Sequence, residues 1–355
     1  MWAIVGTRTT QERNARGEGI SVYRVNMHTG SLERVQLLRD LVNPSFLALN
    51  AAGDRLYVVH GDGEEISAFG VERGTGQLNF LNRQSTQGRN PVHLALDASG
   101  RHVVVSNHLS SALVVLPVED DGRLGPVCQT VAMAGEPGPH RKEQPFAKPH
   151  FNPLDPSGRY VVVPDKGLDQ TWVFRFEAGR LSDSPCAILQ GREASGPRHI
   201  AFHPHKPWAY VVNELDSTVT ACRFDALTGA LEAFQIRSAL ADDFVANSRA
   251  SEIEVHPGGR TLYSSNRGED SIAVWSIDPS SGRIELIQTQ PSGGRTPRFF
   301  ELMPGGRFLL VLNEDSDTID TFAVDPASGR LSPTGQPILC GSPVCVVFSA
   351  AGPVA

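Results

Sequence analysis

Short apolar runs recur along the whole chain, among them Arg101-His102-Val103-Val104-Val105 and Tyr160-Val161-Val162-Val163. They are β-branched or alternating and are cut by Gly, Pro, Asn and Asp, a pattern that predicts strands and leaves almost no room for helices. The strings Asp325-Pro326-Ala327-Ser328-Gly329 and Asp278-Pro279-Ser280-Ser281-Gly282 are hairpin turns, where Gly supplies a positive φ.

The runs follow a repeated grammar. A Pro-led apolar stretch is followed by a Gly-Arg or similar turn, a β-rich run ending in a polar cluster, a third strand and a Gly turn. The unit from Gly196 is the clearest: Gly196-Pro197-Arg198-His199 opens a strand through Phe202, Ala209 to Asn213 forms the second, Thr218 to Phe224 the third, and Thr228-Gly229 turns into a fourth. The same grammar starts at Pro44, Pro91, Pro149, Ser251, Pro297 and Pro343. Seven such units of about four strands predict an all-β, seven-bladed propeller with antiparallel blades. The last unit runs out of chain after Pro343 to Phe348. The segments Trp2 to Gly6, Ile20 to Val25 and Leu32 to Leu38 supply three strands with no Pro-led one before them. One blade is therefore shared by both termini, which removes open sheet edges and makes residues 1–355 one domain.

Composition changes this picture little. With 40% hydrophobic and 20% charged residues the chain is globular. A net charge of -7 with scattered basic residues gives no basic stripe for nucleic acid. Only Lys142, Lys148, Lys166 and Lys206 are lysines, so the positive charge is nearly all Arg, suited to bidentate contacts with carboxylate or phosphate. Five cysteines without a CxxC pair indicate neither a disulfide framework nor zinc. The first seven residues lack a basic n-region, and no apolar stretch is long enough for a membrane span. A cytoplasmic protein, monomeric or weakly homo-oligomeric, is the expectation.

Candidate chemistry lies where the repeat breaks its own symmetry. In an antiparallel blade the start of the first strand and the end of the second share one end. The residues after the leading position are Ser45, Val92, His150, Arg198, Glu252, Arg298 and Val344. The second strands end at His60, Asn107-His108, Asp165-Lys166, Asn213-Glu214, Asn266-Arg267, Asn313-Glu314 and Thr7-Arg8. Blade-building positions repeat, whereas these turn ionisable in units three to six, as a small-molecule site requires. Two insertions, Ala134 to Lys148 and Arg237 to Ala250, and the loop Arg8 to Gly17 return to the same end and are expected to cover it.

Asp165-Lys166-Gly167, Gly196-Pro197-Arg198-His199, Asn213-Glu214-Leu215 and Ser264-Ser265-Asn266-Arg267-Gly268 together resemble the lactonase family of seven-bladed propellers. That family includes bacterial 6-phosphogluconolactonases and fungal carboxymuconate lactonizing enzymes. The resemblance implies that His150, Arg198, Glu214 and Arg267 are catalytic. The chain departs from it before His150, where many members carry a second histidine, and at Arg8, where many carry an aromatic residue.

Lactone hydrolysis needs a base for water, donors for the developing oxyanion and cations for an anionic substrate. Glu214 is the first choice of base and His150 the alternate base or proton donor, with Arg198 and Arg267 as clamp and oxyanion donors. Arg298, Asn213, Asn266, Lys166 and Asp165 are expected to bind substrate. The scheme calls for no metal and no cofactor. A cycloisomerase could use the same four residues in the ring-closing direction, and a non-catalytic binding propeller is a third reading; both stay open at this point.

Overall fold

A computed structural model describes residues 1–349. The strands form seven antiparallel sheets, six of them built from consecutive segments of chain. We number these as blades 1 to 6, beginning at Pro44, Pro91, Pro149, Pro197, Arg249 and Pro297. Blade 7 orders its strands Pro343–Ser349, Trp2–Thr7, Ile20–Val25 and Leu32–Leu38. Its two innermost strands pair antiparallel, with Trp2 opposite Ser349 and Val5 opposite Val346. The two ends of the chain thus close the ring through one sheet, as the sequence predicts. The expected domain span runs on to Ala355, and residues 350–355 lie outside the described part.

Six blades have a regular innermost strand, and blade 3 differs. Between Pro149 and Leu154 it keeps only isolated bridges, Pro149 with Asp165 and Leu154 with Val161. Pro149, Pro153 and Pro156 cannot donate to a ladder, which explains the departure from the expected strand. Side chains take over the binding there: Asn152 Nδ2 donates to the Val104 carbonyl at 2.9 Å and its Oδ1 accepts from Ser106 Oγ at 2.7 Å.

The blades pack through apolar faces, and four of these faces are pinned by a repeated contact. A tyrosine of the second strand donates to a turn carbonyl of the next blade: Tyr57 to Gly122 at 3.1 Å, Tyr160 to Leu227 at 2.7 Å, Tyr210 to Gly282 at 3.0 Å and Tyr263 to Gly329 at 2.8 Å. These buried phenols are therefore satisfied at the periphery of the core. Gly282 shows why the turn residue is glycine. Its φ is +74°, and an added Cβ would sit 2.4 Å from the Trp208 ring of the preceding blade.

The innermost strands share a second repeated feature. Register slips just after the leading residue, between Pro44 and Phe46, Pro91 and His93, Pro197 and His199, Ala250 and Ile253, and Pro297 and Phe299. Blade 7 slips likewise, with Thr7 opposite Pro343 and Gly6 opposite Cys345. A bulge leaves one residue unpaired and re-aims its side chain. The extruded residues are Ser45, Val92, Arg198, Ser251 with Glu252, Arg298 and Val344, so the backbone itself turns this set toward the channel. Directly beneath, rings from five blades fill the bore. Phe46 lies 5.8 Å from Phe299 and 4.4 Å from His93, and Phe151 stacks on His199 at 4.1 Å between centroids.

Candidate active site

Above that aromatic floor a narrow cavity opens at the mouth, lined by the extruded residues of blades 1, 2, 4, 6 and 7, by His150 and by Arg8. Four of the sequence-predicted residues meet here. Arg198 Nη1 lies 2.6 Å from His150 Nε2 and 2.7 Å from Glu214 Oε2. Arg267 Nη2 reaches the same carboxylate oxygen at 3.3 Å. Lys166 Nζ holds the other oxygen at 3.2 Å, with Arg249 Nη1 at 3.7 Å. Glu214 is thus one buried carboxylate among four cations.

That environment fixes the charges. Burial works to raise the proton affinity of Glu214, but Lys166, Arg267 and Arg198 outweigh it and hold the carboxyl well below its ordinary range. Burial, then the nearby Arg267, pushes Arg198 down to about 9, which still leaves it cationic at neutral pH. Burial and Arg198 hold His150 well below the ordinary histidine range, so its ring is neutral. A guanidinium can only donate, so Nε2 of His150 accepts from Arg198 and the ring proton belongs on Nδ1. That Nδ1 is buried and has no partner among the described residues. His108, also neutral and pushed down to about 3 by burial and Lys166, packs edge-on against it at 5.1 Å.

Beneath Arg198, its Nε donates to the Ser251 carbonyl at 3.1 Å, and Ser251 Oγ donates to the Arg298 carbonyl at 2.6 Å. His199 Nδ1 lies 2.8 Å from Glu252 Oε1. Burial raises Glu252 to about 8 and depresses His199, so the pair is held without net charge at neutral pH. Arg298 lines the mouth and faces Glu314 at 3.6 Å.

Three expected substrate contacts are placed elsewhere. Asn213 Nδ2 donates to Thr218 Oγ1 at 2.9 Å and Thr220 Oγ1 at 3.0 Å, inside its own blade. Asn266 Nδ2 donates to the Ala239 carbonyl at 2.8 Å. Asn107 and Asn313 do the same to Thr86 and Ser292, so this asparagine ties the second strand of its blade to the exit loop of the blade before it. Asp165 Oδ1 accepts the backbone N–H groups of Lys148, Gly167 and Leu168 and organises its loop. Strand ends alternate faces, so of each adjacent pair only the second member, Lys166, Glu214 or Arg267, reaches the mouth.

Residues from the long loops complete the site. Glu143, in the first insertion, accepts from Lys166 at 2.9 Å and from Arg249 at 2.9 Å. Arg249 closes the second insertion, so the two meet over Glu214. Their sequence signal was position alone, since both insertions return to this end. Arg8 was legible as the residue that ends the second strand of the shared blade, though not as part of the site. A wider surface groove beside Gln235, Arg237, Trp275 and Arg283 lies on the outer strands of blades 4 and 5 and carries none of these groups.

Comparison with known proteins agrees with this architecture. The family model described as "Lactonase, 7-bladed beta-propeller" matches residues 2–348. A 6-phosphogluconolactonase of Bacillus subtilis strain 168 is 34% identical over 299 residues, covering 83% of each chain. A 6-phosphogluconolactonase of Formosa agariphila is 31% identical, over 81% of this chain and 82% of its own. The solved structure of a Pseudomonas aeruginosa periplasmic gluconolactonase superimposes with a TM-score of 0.89 at 29% identity, covering 99% of both chains. The chain belongs to the lactonase family of seven-bladed β-propellers.

Proposed function

We propose that this protein hydrolyses the ring ester of a sugar-acid lactone, most closely a 6-phosphogluconolactone. One observation carries the reading: a buried carboxylate, two arginines and a neutral histidine converge within hydrogen-bond reach, with His150 and Arg198 lining the cavity at the mouth. The relatives named 6-phosphogluconolactonase and gluconolactonase support the substrate class.

Each group has a part that its environment suits. Arg198 and Arg267 hold the substrate and stabilise the carbonyl oxygen as it gains charge. The unpartnered Nδ1–H of His150 is a second donor for that oxygen. Glu214 takes the proton from water as water attacks the carbonyl carbon, and the proton then passes to the departing ring oxygen, which leaves as a hydroxyl. A base works best with a proton affinity near the operating pH, and unliganded Glu214 sits far below it. A substrate ester that engages Arg198 and Arg267 draws their donors away from Glu214 and raises its proton affinity. On this reading the substrate activates its own base.

The test is a panel of lactones, phosphorylated and not, with acid release followed in a pH-stat beside carboxymuconate consumption. Acid release well above the spontaneous rate is expected; consumption of the muconate without it would transfer the site to ring closure. The reading also takes the protein to work in the cytoplasm, as a monomer or weak homo-oligomer, without nucleic acid or membrane. Cell fractionation with size-exclusion chromatography checks this, and fractionation is pertinent because the P. aeruginosa neighbour is described as periplasmic. Among the described residues no helix is long and apolar enough to cross a membrane.

A further inference from the structure

Arg8 is a buried cation of the mouth that the scheme above leaves unused. Its side chain is 4% exposed and its Nε has no partner among the described residues. The single carboxylate it touches is Asp62, at 3.4 Å. Asp62 is already taken: Arg13 engages both its oxygens, Nε at 2.7 Å and Nη2 closer still, and Asn43 Nδ2 donates to it at 3.2 Å. The remaining charges nearby include two more cations. Burial, then Arg298 and Arg13, lowers Arg8 to about 9, against the opposing pull of Glu314 and Asp62, so it stays charged at neutral pH.

The backbone is built around this guanidinium. A Cβ at Gly61 would fall 2.4 Å from Arg8 Nη1 and 2.6 Å from Ser45 Oγ, so a side chain at 61 would displace it. Arg298, its neighbour in the same cavity, has one carboxylate contact at 3.6 Å. Blade 7, which carries Arg8, lies three blades round the ring from Arg198. A buried charge with incomplete pairing costs stability, and here two guanidinium groups, each with one carboxylate contact, line a shared narrow space. Forked N–H donors on two sides match a tetrahedral dianion better than a single carboxylate.

We propose that Arg8 and Arg298 form a second anion subsite that receives the phosphate of a phosphorylated lactone, and so set the preference for phosphorylated over plain substrate. The identity of the substrate rests on the lactonase reading; the anion site does not. The lactone ring then lies between this subsite and Glu214, with Arg198 and Arg267 free to serve the ester.

The experiment has two arms on the full chain, comparing wild type with Arg8→Gln, Arg8→Lys and Arg298→Gln. In the first, inorganic phosphate is titrated calorimetrically, and Arg8→Gln is expected to weaken its binding roughly tenfold to a hundredfold, with Arg8→Lys in between. In the second, the ratio of kcat/KM for 6-phosphogluconolactone to that for gluconolactone should fall by a similar factor, through KM. Wild type that binds no phosphate, or an unchanged phosphate affinity in a folded Arg8→Gln protein, overturns the subsite. An equal loss on both lactones overturns the specificity role. If wild type opens neither lactone, the functional reading fails and the phosphate arm still decides the anion site. Should Arg8→Gln not fold, Arg8→Lys and Arg298→Gln carry both measurements.

Discussion

Blades 7, 1 and 2 present Val344, Ser45 and Val92 to the channel, while blades 3 to 6 present His150, Arg198, Glu252 and Arg298. Six of these seven positions share one backbone device, the bulge after the leading residue, and blade 3 reaches the same place through prolines. The scaffold therefore offers equivalent places round the ring, and the chemistry is written on one side of it. The asparagines behind the mouth make the opposite case: Asn107 in the uncharged half and Asn266 and Asn313 in the charged half all bind a loop carbonyl. Structure is carried by what the blades have in common, and function by what they do not share.

The sharpest break of this contrast is Glu214→Gln. Loss of the base should cut lactone turnover by ~10²–10⁴, measured as kcat. Because four cations surround Glu214, the variant should also melt at a lower temperature, and lower salt should widen that gap. Near-normal turnover in Glu214→Gln, with loss in His150→Ala, would move the base to His150.

Next in size are Arg198→Ala and Arg267→Ala. Each should weaken capture of an anionic lactone about tenfold to a hundredfold in kcat/KM. Arg198 should be the worse, since it also positions His150 and bonds the Ser251 carbonyl.

Asn107→Ala and Asn266→Ala sharpen the other side of the comparison. Both remove a buried donor to a loop carbonyl, so denaturant titration should show similar losses of about 1–3 kcal/mol in the two halves. A loss confined to Asn266, accompanied by a changed KM, would return that residue to the substrate site.

The smallest effect is a pH slope. Glu252 is raised from an ordinary 4.5 to about 8 by burial, so the folded state holds a proton that the unfolded chain has released. Its contribution is full below about pH 4.5 and is lost as pH rises through 8, at up to about 1.4 kcal/mol per pH unit. Burial raises Glu254 to about 8 in the same way and adds to the slope. Glu252→Gln should flatten the fall in stability between about pH 4.5 and 8, and an unaltered profile would show that Glu252 ionises freely in the folded protein. Depressed groups act in the other direction. Neutral His150 stabilises above about pH 6.5 and loses that contribution as pH falls, which steepens the acid side.

Much of this was legible in the sequence because a repeat carries its own comparison. The Pro-led unit gave the blade count, and the shortened last unit located the closure at Trp2–Thr7. The residue after each Pro stood out as the position that varies, and the bulge explains why it faces the channel. The differences have local causes. Asn213, Asn266 and Asp165 bond within the scaffold while their neighbours reach the mouth, because one residue at a strand end reverses the direction of a side chain. Pro149 and Pro153 denied blade 3 its regular inner strand. Glu143 and Arg249 belong to loops that meet 106 residues apart, and no local pattern encodes such a meeting.

The packed rings of Phe46, His93, Phe151, His199 and Phe299 carry a kinetic consequence. They make the bore a cul-de-sac, so whatever reaches Glu214 arrives and departs by the same doorway. An opened acid that keeps its anionic groups must clear the arginines before the next molecule can dock. Product and substrate therefore compete head-on, and inhibition by the acid should vanish at saturating lactone, leaving kcat untouched.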